Sequence, residues 1–73
     1  MNISDKIKKI RNKEQLTQEQ FAEKISVSRN AVAKWETNRG YPDIQNLITI
    51  SEVFNVSVQI HFYYQFFNRQ YFE

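Results

Sequence analysis

Cysteine is absent from this sequence, and glycine, proline and histidine occur once each. Without cysteine there is no disulfide, no thiolate metal site and no thiol nucleophile, which fits a reducing compartment. With a single Gly and a single Pro against 41% hydrophobic residues, the composition is neither disordered nor that of a long-looped β fold. The lone histidine, His61, has no carboxylate pair, Ser/His/Asp set, glycine-rich phosphate loop or metal-ligand cluster around it. No enzyme, cofactor or metal is therefore expected. Long apolar runs are missing too. Residues 1–11 mix charges with isolated isoleucines, and no stretch is long enough to cross a bilayer. The expectation is a soluble, cytoplasmic chain that makes no use of a membrane.

What remains is one domain's worth of helix-forming sequence, near the size at which a single core only just suffices. The net charge of +2 says little about partners, but its distribution says more. Lys6, Lys8, Lys9, Arg11 and Lys13 crowd the first segment, where most read as a solvated helix face. Arg29, Lys34 and Arg39 punctuate the middle.

Ile3, Ile7 and Ile10 form one apolar stripe of a first helix that fades near Lys13, with Ser4 or Asn2 as its cap. Glu14-Gln15 then make a turn. Thr17-Gln18-Glu19-Gln20 is a capping box, and Leu16 and Phe21 are spaced as a hydrophobic staple around it. The second helix points Phe21, Ala22 and Ile25 inward. Ser28 caps a third helix from Arg29 to about Thr37, which buries Val32 and Trp35 with Ala31 at the margin. Asn38 suits its C-cap because Asn tolerates the left-handed conformation. After the loop at 39–42, Asp43 caps a fourth helix whose apolar positions are Ile44, Leu47, Ile48 and Phe54, with small Ser51 on the same stripe. Residues 1–57 read as one domain. Residues 58–73 differ in kind: they carry seven Phe or Tyr residues and a single acid, Glu73. Their spacing fits a strand over Val58, Ile60 and Phe62 and a helix over Phe62, Phe66, Phe67 and Tyr71, and does not choose between them.

The outer face of the third helix carries Arg29, Asn30, Ala33, Lys34 and Thr37 and no acid, although the chain has 8. Arg and Lys donate to guanine O6 and N7, Asn pairs bidentately with adenine, and Ala or a Thr methyl suits the thymine methyl. An ordinary solvated surface explains the face alone equally well. Thr17 and Gln18 at the start of the second helix, and Arg39 in the loop, are placed to meet phosphates.

The segment LTQEQFAEKISVSRNAVAKWETNRGYPDIQNLITISEVFNVS resembles the Cro/cI-type (XRE family, lambda-repressor-like) helix-turn-helix domain of bacterial and phage repressors. The marks are LTQ, FA, VSR, the W-E pair and P-D-I, in that order. The resemblance covers roughly residues 3–58 and implies an all-α, compact four- to five-helix bundle whose third helix enters the major groove. It implies that Gln18 contacts backbone and an outer base, that Ser28, Arg29, Asn30 and Lys34 fill recognition positions, and that Arg39 contacts phosphate. Arg11 and Glu36 match a pair that forms an internal salt bridge in the family. Three departures stand out: Gln15 and Ser26 occupy positions where the family has glycine, and Gln59-Ile60-His61-Phe62 replaces the usual start of a fifth helix.

The expected function is a transcriptional repressor that binds a pseudo-palindromic operator in double-stranded DNA as a homodimer, with the aromatic tail as the pairing surface. The alternative is an antitoxin-type regulator whose tail binds a partner protein.

Overall fold

The computed structural model describes residues 3–56, and among these every regular element is a helix. They are α1 (Ile3–Lys13), α2 (Gln18–Lys24), α3 (Arg29–Glu36) and α4 (Ile44–Phe54). The chain divides into two units between Pro42 and Asp43.

The helix starts follow the capping chemistry of the sequence. The Thr17 hydroxyl accepts from the Gln20 N–H at 3.1 Å, and the Thr17 N–H donates to the Gln20 side-chain oxygen at 2.9 Å. Ser28 and Asp43 each accept from the backbone N–H three residues on, at 3.0 and 2.8 Å. These bonds satisfy donors that a helix start otherwise leaves open. Asn2, one of the two expected caps of α1, lies outside the described residues. Ser4 is not its cap but a buried residue inside it, whose hydroxyl donates to the Glu36 carbonyl at 2.7 Å.

All four helices end in one device. The N–H groups of Leu16, Val27, Arg39 and Val56 each donate to the carbonyl five residues earlier, on Arg11, Ala22, Lys34 and Ser51. Such a closure puts the residue before each donor in the left-handed region. Those residues are Gln15, Ser26, Asn38 and Asn55, with φ between 52 and 61°. Asn38 therefore does what its side chain suits, one residue beyond the cap itself, Thr37. The chain's single glycine, Gly40, has no positive φ.

In the first unit, Ile3, Ile7 and Ile10 of α1, Phe21, Ala22 and Ile25 on and after α2, and Val32 and Trp35 of α3 are buried. α3 packs against both α1 and α2. In the second unit the buried residues of α4 are Leu47, Ile50 and Phe54, which corrects the expected stripe. Ile44 is 43% exposed and Ile48 only half-buried. With apolar residues also at 50 and 53, α4 satisfies a helical spacing on more than one face, so periodicity leaves the inward face undetermined.

A second tie holds the first unit together. Arg11 Nε donates to Glu36 Oε2 at 2.7 Å and its Nη2 to Oε1 at 3.0 Å, a two-pronged salt bridge. The third donor, Nη1, reaches the Leu16 carbonyl at 3.0 Å. The Glu36 side chain is 3% exposed and that of Arg11 18%. Burial, the largest single influence, pushes the Glu36 carboxyl up from its ordinary 4.5. Hydrogen bonds from Arg11 and Gln18 and the charges of Arg11 and Lys8 together hold it below that value. The Arg11 guanidinium is raised, first by its hydrogen bond to Glu36 and further by that residue's charge, against a lowering from burial.

Gln15→Gly and Ser26→Gly should each stabilise the fold. Relief of about 1–2 kcal/mol of left-handed strain is offset by about 0.4–1 kcal/mol of added unfolded-chain entropy, leaving roughly 0.5–1 kcal/mol. A urea midpoint that falls in either variant would contradict the left-handed assignment. Glu36→Ala should cost about 3 kcal/mol, the low end for a broken buried pair because Arg11 keeps some water. Since folding lowers the Glu36 pKa, the unfolded chain takes up the proton first as pH falls. The contribution is complete above 4.5 and lost as pH drops through the lower folded value. The urea midpoints of the unmodified chain and Glu36→Gln should differ near neutral pH and converge in acid. A gap that persists unchanged down to about pH 3 would exclude this linkage.

Candidate nucleic-acid interface

α3 is eight residues long and opens immediately after the turn at 25–28, which Ser26 closes in its left-handed conformation. Burial of Val32 and Trp35 fixes which side of α3 faces inward. The opposite side then carries Arg29, Asn30 and Lys34, all exposed, with Ala33 half-buried between them and Thr37 exposed just past the end. The acid of α3 is Glu36, and it is buried. The outward row is thus cationic and amide-bearing, with no carboxylate to repel an anion. Ser28, exposed at the helix start, uses its oxygen as acceptor for the Ala31 N–H, which leaves its hydroxyl proton to donate elsewhere.

The Thr37 hydroxyl donates back to the carbonyls of Ala33 and Lys34, at 2.9 and 3.3 Å. What Thr37 retains for a ligand is its methyl group and the accepting lone pairs of its hydroxyl oxygen. Arg39 is exposed, with its backbone N–H spent on closing α3.

Gln18 links this region to the buried pair. Its Nε2 donates to Glu36 Oε1 at 3.1 Å, so the first residue of α2 is bonded to the last residue of α3. One amide N–H is committed there, while the other N–H and the amide oxygen remain for a ligand. Thr17, exposed beside it, likewise accepts within its capping box and keeps a hydroxyl proton. Neither the Gln18–Glu36 bond nor the Ser4 contact is evident from neighbouring residues in the sequence. The available signal was spacing: Ser4 and Arg11 stand seven residues apart, on one face of α1. A surface groove of about 430 Å³ lined by Leu16, Gln20, Glu23 and Lys24 contains none of the candidate residues. His61 and the tail at 58–73 lie outside the described residues.

A family model described as helix-turn-helix matches residues 7–60. The chain is similar to the HTH-type transcriptional activator BcrR of Enterococcus faecalis, 43% identical over 58 residues, covering 80% of this chain and 28% of that protein. It is similar to the uncharacterized HTH-type transcriptional regulator YqaE of Bacillus subtilis, 36% identical over 77% of this chain and 48% of the relative. It is also similar to the HTH-type transcriptional regulator ImmR of Bacillus subtilis, 32% identical over 78% of this chain and 45% of the relative. The chain spans less than half the length of these curated relatives. No solved structure gives a match. With the order of helices, the caps and the family match in agreement, the chain belongs to the Cro/cI-type (XRE) helix-turn-helix family.

Proposed function

We propose that this chain binds double-stranded DNA sequence-specifically as the reading unit of a transcriptional regulator, with α3 in the major groove. The observation that carries the reading is the exposed, acid-free row on α3. Arg29 and Lys34 supply donors for guanine, Asn30 the bidentate amide for adenine, and Ala33 with the Thr37 methyl an apolar contact for thymine. Ser28 donates at the helix start. Thr17, Gln18 and Arg39 contact the phosphate backbone and set the orientation of α3.

Such a unit reads only a few base pairs, which is too little to find a site in a genome. We therefore assign it a homodimer on a pseudo-palindromic operator, with half-sites about one helical turn (~34 Å) apart. The aromatic-rich, weakly charged segment 58–73 has the composition of an interface core and is the proposed pairing surface. The site of action is the cytoplasm. Repression, by occupying an operator, is the first reading. Activation is the second, and it rests on one relative being named an activator.

Replacing Arg29 or Asn30 by Ala should cost about 1–3 kcal/mol on the preferred duplex and relax preference at one base position. Equal losses on every sequence would make them phosphate contacts only. Arg39→Ala should weaken binding to all sequences and reduce the salt slope by about one ion. The full chain should sediment as a dimer at micromolar concentration. A monomer both on and off DNA would remove the homodimer.

A further inference from the structure

α1 presents more to the interface than the reading of α3 requires. Ser4, Lys8 and Arg11 stand at i, i+4 and i+7, so they share one face of α1. Two of the three are bonded to Glu36, Ser4 to its carbonyl and Arg11 to its carboxylate. Lys8 lies between them, exposed, and belongs to no salt bridge among the described residues. Lys8 thus overlooks the end of α3, while Lys6, Lys9 and Lys13 lie around the helix on another side.

The Glu36 carboxylate is already satisfied. Its Oε2 accepts from Arg11, and its Oε1 accepts from Arg11 and Gln18. One positive and one negative charge cancel in that pair, so the charge of Lys8 is in excess. The influence of Lys8 on the Glu36 carboxyl agrees with its position beside the cluster. Nearby stand the other groups suited to anions: Gln18 is bonded to the same carboxylate, and Arg39 follows α3 after two residues.

We propose that Lys8 is a further DNA-positioning residue, contacting a backbone phosphate alongside Gln18 and carrying the protein's footprint onto α1. This rests on the DNA-binding reading. A lysine on a flexible stem suits a phosphate as a point charge and carries no base information. Its loss weakens binding to all sequences alike.

The test measures the affinity of the full chain for a mixed-sequence duplex across a range of salt concentrations. Lys8→Gln should lower the slope of log affinity against log salt by about 0.9, one phosphate contact. Lys9→Gln, on the other side of α1, should leave it unchanged, and Lys8→Arg should preserve it. Melting temperatures of the variants register any purely structural effect, which does not alter a salt slope. A Lys8→Gln slope equal to that of the unmodified chain would overturn the assignment while leaving the DNA reading intact. Failure of the unmodified chain to bind duplex at any salt would overturn both.

Discussion

The last residue of α3, Glu36, accepts hydrogen bonds from both neighbouring helices: its carboxylate from Arg11 and Gln18, its carbonyl from Ser4. An acid at a helix C-terminus is unfavourable by itself, because the carbonyl end of the helix is already partly negative. A helix of eight residues is also too short to persist in water on propensity alone. α3 therefore depends on what its ends are attached to. Burial of Val32 and Trp35 sets its rotation, while the Glu36 cluster holds its far end against α1 and the start of α2. The outward row from Arg29 to Thr37 has a defined direction because both constraints act on the same short helix.

The turns add a second constraint, at a cost. Each helix closes through a left-handed residue, and none of the four is glycine. Asn38 and Asn55 bear this well, since a short polar side chain tolerates that region, whereas Gln15 and Ser26 bear it less well. Both strained residues flank α2, one at each of its connections. Strain of this size matters in a chain this small, whose total stability is only several kcal/mol. The Leu16 segment shows how it is held: the Leu16 N–H donates to the Arg11 carbonyl, and the Leu16 carbonyl accepts from the Arg11 side chain. The residue that anchors Glu36 also fixes the turn into α2.

Much of this was legible in the sequence because it is local. Thr17 with Gln20, Ser28 and Asp43 announce helix starts through chemistry within three residues, and the inward faces of α1, α2 and α3 follow from spacing. Gln15 and Ser26, which stand where the family has glycine, both take the left-handed conformation that glycine adopts without strain. The difficulties arose where a decision depends on distant atoms. Ser4 looks like a cap from its neighbours, yet bonds to a carbonyl thirty-two residues away. Gln18 reads as a ligand-facing amide, and its tie to Glu36 appears only once α2 and α3 are folded. α4 is apolar on several faces, so its buried set of Leu47, Ile50 and Phe54 could not be read from periodicity. The chemistry of the α3 face was legible in residue types, and its exposure needed the structure.

α3 is a short helix held at both ends, whose free side carries donors, an amide and methyl groups, and whose acid is turned inward and neutralised. The most direct measurement is selection of bound duplexes from a random-sequence pool by the unmodified full chain. The proposed function predicts enrichment of one short half-site motif containing guanine and adenine contacts, recurring as an inverted pair about 10 base pairs apart. Retention of the pool without enrichment of any motif would contradict the account, leaving a basic surface that holds DNA without reading it.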